Sequence, residues 1–352
     1  MKIEWRRVTV RTPRAQDARR HWPERESLLV TVTDAQGRRG VGEASPLPGY
    51  SPDTLDAVQA ALGGLDASRF QAALELPTRA ALGAVSALVP ASLPSARMAL
   101  ETAVLDWLGQ CAGVPAPILL GGALNGTLPL AQLLGPAASA AIAEDADQAV
   151  RAGYRNVKLK IGAKGQLERE LDGVQAVRER LGAQVSLRLD ANGVLTAAEV
   201  EGIWPRLSRI GIELFEEPGA VPLQLLGALP LALDESLQGL DEVATAALVR
   251  ERQARCLVLK PMALGGLAHC WQLADRAREL GAGVIISHCF EGPFAWRAAA
   301  SLALALPAGL AHGLAPHAGL EAWSTGPLPV SAGWLETWTE PGLGLAAELG
   351  FP

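Results

Sequence analysis

The chain has 352 residues, more than the ~250 at which a single hydrophobic core usually stops growing, so a barrel-sized domain with an accessory domain is expected. Hydrophobic residues make up 49% and charged residues 19%, ample material for a large core, which excludes a disordered chain. A net charge of −6 leaves no basic footprint for nucleic acid as a partner.

The N-terminal stretch MKIEWRRVTVRTPR has no apolar signal core ahead of its charges. Cys111, Cys256, Cys270 and Cys289 show neither Cys-x-x-Cys pairing nor a disulfide pattern. Together these predict a cytoplasmic protein with reduced, buried thiols. IEWRRVTV and then ESLLVTVTDAQGRRGVGEASP alternate like antiparallel strands, with a turn at Asp34 to Gly37. The charged segment Arg14 to Glu26 lacks periodicity and reads as a solvated loop. Alanine-rich, helix-favouring stretches run from Pro52 to about Gly113, with a start at Pro94-Ser95 ahead of SARMALETAVLDWLGQCAG. Strands followed by helices predict an α+β capping domain over residues 1–125.

From Leu128 the grammar becomes strand, helix, strand. The strand candidates are LPLAQLLG, NVKLKIG, VSLRLDAN, IELFEEP, LPLALDES, CLVLKPM, GVIISHCF and GLAHGL. Segments such as QLERELDGVQAVRERLG and GLAHCWQLADRARELG supply amphipathic helices between them. Eight apolar strands in repeated βα units predict an α/β fold, a modified TIM-type (β/α) barrel over 126–318. The tail, 319–352, contains no further unit and is expected to pack back on the capping domain. The uncharged stretches 107–143 and 298–320 are broken by prolines and glycines, so no membrane span is expected.

Charged residues cap these strands. Lys158 and Lys160 share one face of their strand, and Asp190, Glu216 and Asp234 end the next three. Lys260 ends the sixth, across the barrel from the second. Active sites of such barrels lie at the C-terminal strand ends. Three converging carboxylates repel one another unless neutralised, and a hard divalent cation with open water positions, Mg²⁺, suits them. Two lysines facing each other over a metal-bound substrate can transfer protons on either face of a carbon. Neighbouring positive charge is expected to lower a lysine pKa towards the range of a general base.

Lys158-Leu159-Lys160, Asp190-Ala191-Asn192, Glu216-Glu217-Pro218, Asp234-Glu235-Ser236 and Lys260-Pro261 resemble, in order and over nearly the whole chain, the muconate-lactonizing subgroup of the enolase superfamily. Gly42-Glu43-Ala44-Ser45-Pro46-Leu47-Pro48-Gly49-Tyr50-Ser51 and Arg188 are similar to the o-succinylbenzoate synthase family within it. That resemblance implies one Mg²⁺ on Asp190, Glu216 and Asp234, and a dicarboxylate substrate that loses water. Lys160 would be acid and base on one face, with Lys260 a charge on the other. Lys158 would support Lys160, and Arg188 would orient groups near the metal. Ser287, His288 and Gly313 are candidates for holding the succinyl group, and the segments Arg14 to Glu26 and Pro46 to Ser51 for covering the barrel mouth.

The seventh strand end reads Ser287-His288-Cys289-Phe290-Glu291-Gly292, where family members often carry a serine-rich run. An N-acylamino-acid racemase is the alternative, because the same lysines serve a racemisation. A dipeptide epimerase fits less well, because Gly313-Leu314-Ala315-Pro316-His317-Ala318-Gly319 lacks the acidic pair that would hold a substrate ammonium. Muconate cycloisomerase and a catalytically dead barrel also stay open, as does the oligomeric state.

Overall fold

The structure, a computed structural model, describes residues 1–15, 20–323 and 326–345. Residues 16–19 of the charged N-terminal segment, and 324–325 and 346–352 of the tail, lie outside the described residues.

Strands β1 (Lys2–Arg11) and β2 (Glu24–Thr33) pair antiparallel from Lys2 opposite Thr33 to Arg11 opposite Glu24. The charged segment therefore joins the two arms of a long hairpin. β3 (Arg39–Ala44) adds to β2 after the predicted turn, which Asp34 closes by accepting the Gln36 and Arg38 N–H groups at 2.9 Å. Four helices follow: α1 (Leu55–Gly63), α2 (Ala67–Ala73), α3 (Thr78–Ser86) and α4 (Pro94–Ala112). Proline occupies the first turn of α4, and Gly113 ends it at φ 68°.

β3 meets α4 at Gly40 and Gly42, where a Cβ on Gly42 would overlap the Ala99 carbonyl oxygen. The helix begins at the expected Pro94-Ser95. α4 is buried along most of its length, Glu101, Thr102 and Asp106 included, because the capping sheet covers one side and barrel helices the other.

A short α5 (Ala116–Leu119) and β4 (Thr127–Pro129) lead into the barrel. Its units are β5 (Ala131–Pro136), α6 (Ile142–Arg151), β6 (Asn156–Lys160), α7 (Leu167–Leu181), β7 (Ser186–Asp190), α8 (Ala197–Ile210), β8 (Leu214–Glu216) and β9 (Leu231–Leu233). They continue with α9 (Glu242–Arg252), β10 (Cys256–Leu259), α10 (Pro261–Leu264), α11 (Leu267–Glu279), β11 (Gly283–Ile286) and α12 (Pro293–Ala305). Strands β5 to β11 form one curled parallel sheet in chain order.

The eighth predicted strand is no regular strand. His312 N–H donates to Pro129, Ala131 N–H to His312, and Gly313 N–H to Ile286, so single bridges Leu130–His312 and Ser287–Gly313 close the ring. Pro307 and Pro316, which lack an N–H, bound this segment and keep it short. In the tail, β12 (Val330–Ser331) pairs with β13 (Trp334–Glu336), and β13 with β4. Gly342 also exchanges backbone bonds with Val114 and Ala116. Among the described residues no helix is long and apolar enough to cross a membrane, and all four cysteines are free thiols.

Buried acids tie cap to barrel. The Glu101 carboxylate of α4 accepts the N–H groups of Leu267 and of Ala268 (2.9 Å), at the positive end of α11. Burial pushes its carboxyl up to about 7, against the pull of those N–H groups. The folded state thus holds this proton more tightly than the unfolded chain, so wild-type stability falls as pH rises from the ordinary glutamate range to about 7. Glutamine does not ionise. Between about pH 5 and about pH 8 the stability of Glu101→Gln relative to wild type should rise by about 2 kcal/mol. Denaturant unfolding at both pH values checks this; a pH-independent difference contradicts it.

Candidate active site

The barrel order places β6 and β10 on opposite walls, four positions apart in a ring of eight. Lys158 and Lys160 project inward from β6, while Leu159 between them is buried in the helix-covered layer. Lys160 lies opposite Asp190 in register, and Asp190 opposite Glu216. Asp234 follows β9, and Lys260 follows β10. All six line one cavity of about 410 Å³ or contact a residue that does.

Contacts between them are direct. Lys158 Nζ donates to Glu216 at 2.9 and 3.1 Å and lies 3.2 Å from Asp190. Lys160 Nζ donates to Asp190 at 2.7 Å and to Asn192 Oδ1 at 2.9 Å. Lys260 donates to Asp234 and, at 2.9 Å, to the Tyr50 hydroxyl, which itself donates to Asp234 at 3.0 Å. Asn192 and Glu217 hold positive φ, 46° and 38°, at the ends of β7 and β8. Their side chains tie that backbone down: Glu217 accepts the Asp234 and Ser236 N–H groups, and Asn192 donates to Glu235.

Electrostatics set the acids apart. Burial, then repulsion from Asp190, pushes Glu216 up to about 7. Burial likewise raises Asp234 to about 6, with Glu235 and Asp190 adding to it. Burial also works against ionised Asp190, but Lys160 and Lys158 outweigh it and hold this acid below its ordinary range. The expected lowering of a lysine pKa is not found at Lys158 or Lys260. Burial opposes the charged form of Lys260, but Asp234, Tyr50 and Glu235 outweigh it and hold the ammonium well above its ordinary value. Lys158 is raised in the same way by Glu216 and Asp190.

Among the described residues no group of three His, Cys, Asp or Glu side chains stands as a ready ligand cluster. The chemistry of the donor set still fits a hard divalent cation. Asp190, Glu216 and Asp234 are almost wholly buried, Asp190 raises the proton affinity of the other two, and Glu235 Oε2 beside them is a buried acceptor with no hydrogen-bond partner.

The other sequence candidates fall around this centre. Arg188, two residues before Asp190, turns its guanidinium to Glu213 (2.5 Å) and to the Ala311 carbonyl (2.6 Å), leaving one nitrogen unpartnered. Ser287 spends its hydroxyl on the Gly313 carbonyl at 3.3 Å, and both line the cavity with His288. At the mouth, Arg14 pairs with Glu321, and Trp22 donates to the Pro48 carbonyl at 3.0 Å.

Several contributors escaped the sequence reading. Tyr50 belongs to the motif that resembles the synthase family, yet nothing local places it on Lys260. His317 is stacked on His288. Arg25 and Glu43 hold the seventh-strand loop from the capping domain. Arg25 donates to the Cys289 and Phe290 carbonyls, and Glu43 accepts from Gly292 (2.6 Å) and Ala295 (3.3 Å) at the start of α12. These contacts are long-range in sequence and leave no periodic signal.

Residues 2–121 match the mandelate racemase / muconate lactonizing enzyme N-terminal domain model, and 141–348 the enolase C-terminal domain-like model. A capped barrel with lysines facing each other beside three strand-end acids is therefore that of a known class: the chain belongs to the enolase superfamily, in its muconate-lactonizing subgroup.

The chain is 31% identical over 293 residues to muconate cycloisomerase 1-1 of Acinetobacter lwoffii, covering 78% of this chain and 74% of that one. It is 30% identical to the L-Lys-D/L-Arg epimerase of Methylococcus capsulatus, covering 81% of each. To the o-succinylbenzoate synthase of Desulfotalea psychrophila it is 27% identical, covering 73% and 77%. Among solved structures, it is similar to a Methylococcus capsulatus dipeptide epimerase complexed with Mg and the dipeptide L-Arg-D-Lys. That match has a TM-score of 0.80 and 27% identity, over 98% of this chain and 99% of that one. The Pseudomonas fluorescens muconate lactonizing enzyme with muconolactone gives a TM-score of 0.83 and 27% identity, over 98% and 95%.

Proposed function

We propose that the protein is an o-succinylbenzoate synthase, a hydro-lyase of menaquinone biosynthesis. It would convert 2-succinyl-6-hydroxy-2,4-cyclohexadiene-1-carboxylate to 2-succinylbenzoate. The observation that carries this reading is the cavity wall, which offers cations and N–H donors while its carboxylates are already engaged. Glu170 accepts from Gly162 and Ala163, Asp190 and Glu216 from the lysines, and Glu321 from Arg14. Such a wall suits a dianion, and among the described residues each carboxylate that lines the cavity already has a partner.

Asp190, Glu216 and Asp234 would hold one Mg²⁺, with Glu235 beside them. When bound, the cation supplies positive charge to the substrate carboxylate as the adjacent carbon loses its proton. Lys160 Nζ, as its neutral amine, takes that proton and then, as the ammonium, gives it to the departing hydroxyl on the same face, so water leaves and the ring becomes aromatic. The proton and the C–O bonding pair balance without any redox partner. Lys260, clamped by Tyr50 and Asp234, holds a fixed positive charge on the opposite face. Lys158 and Arg188 position the carboxylate end.

N-acylamino-acid racemisation is the second reading, favoured by the placement of Lys160 and Lys260 on opposite walls. The test is formation of the aromatic chromophore from the cyclohexadiene with Mg²⁺. Chelation should abolish it and Mg²⁺ restore it; undiminished turnover by metal-free protein contradicts the proposal.

A further inference from the structure

His288 and His317 stack in the cavity with ring centroids 3.8 Å apart and planes 25° apart. Phe290 packs edge-on against both, at 5.2 and 5.8 Å, and fixes the pair. Each ring turns Nδ1 to a backbone amide: Phe290 N–H donates to His288 at 3.2 Å, and Gly319 N–H to His317 at 3.1 Å. An amide only donates, so each Nδ1 carries no proton, and a neutral ring then has its proton on Nε2. His317 Nε2 is buried and has no hydrogen-bond partner in the protein. A buried donor left unpaired is costly, which marks it as made for something that enters the cavity.

The surroundings define that something. Burial first, then His317 and the Lys158, Lys260 and Lys160 ammonium groups, disfavour a charged His288; burial and Arg25 do the same for His317. The neighbourhood is thus positive in potential while the rings themselves stay neutral. Their acceptor nitrogens are taken, so a ligand ammonium finds no partner on them. An anionic oxygen group finds N–H donors in a positive field.

We propose that His288 and His317 act as paired Nε2–H donors that select the terminal carboxylate of the substrate's succinyl chain. This rests on the synthase reading for the ligand's identity. It makes His317 a specificity-determining residue, and gives the stacked pair the role of rejecting cationic substrates.

Calorimetric titration with Mg²⁺ present would compare 2-succinylbenzoate with 2-butyrylbenzoate, in which a methyl replaces the terminal carboxylate. Wild type should prefer the dicarboxylate. His317→Phe keeps an aromatic ring on the stack and should weaken 2-succinylbenzoate by about tenfold or more while leaving 2-butyrylbenzoate unchanged. His317→Gln, which restores an N–H donor, should recover part of the loss. Long-range ¹H–¹⁵N NMR of wild type should show both rings neutral and protonated at Nε2. Absence of the wild-type preference, equal weakening of both ligands, or an Nδ1–H ring would overturn the inference. Turnover does not enter these measurements: a protein that shows the preference but does not dehydrate the cyclohexadiene loses the synthase reading alone.

Discussion

In a Lys160→Ala protein the dehydration rate should fall by about 10³-fold or more, and exchange of the substrate's α-proton with solvent should stop with it. Both steps need a proton carrier on one face, and Lys160 stands there with Asp190 and Asn192 holding its ammonium. The fold should survive, because the lysine's partners belong to the cavity and the core beneath it is the apolar layer of Val157 and Leu159. Lys260→Arg makes the contrast. It keeps the charge facing Asp234 and Tyr50, though not the compact ammonium, so part of the dehydration should remain while two-base racemisation should not. Deuterium incorporation followed by NMR beside the absorbance assay checks both. Exchange at the wild-type rate in Lys160→Ala would remove that residue from the first proton transfer.

Asp234→Asn should lower dehydration by about 10³-fold, equivalent to ~4 kcal/mol of transition-state stabilisation. The same substitution should remove most of the thermal stabilisation by Mg²⁺. In wild type, a cation that binds only the folded protein adds about 2.7 kcal/mol at a hundred times its Kd. The barrel should remain folded, since the Asp234 side chain contacts Tyr50 and Lys260 and its backbone N–H is held independently by Glu217. Scanning calorimetry of both proteins with and without Mg²⁺ separates ligand loss from misfolding. A full Mg²⁺ shift in the variant would exclude Asp234 as a ligand.

Much of the architecture was legible because barrel strands are buried on both faces and end in charge. NVKLKIG, VSLRLDAN and CLVLKPM announce themselves by an apolar run with a Lys or Asp at its end, and each forms the expected strand. GLAHGL carried the right position in the ring but not its form, since prolines on either side limit it to isolated bridges. What lay beyond the sequence was tertiary. Tyr50 reaches Lys260 across 210 positions, and Arg25 reaches Phe290 across 265. The charge state expected of the lysines failed for a related reason: neighbouring cations were weighed, and the carboxylates directly on Lys158 and Lys260 prevail.

The measurement that bears most directly on the proposed function is kcat/KM of wild type with Mg²⁺, taken side by side on the cyclohexadiene and on N-succinyl amino acids of both hands. The account predicts that the cyclohexadiene is turned over, with the higher value, and that 2-succinylbenzoate accumulates. Turnover of the amino acids alone would contradict the synthase assignment and make the protein a racemase built on the same lysines.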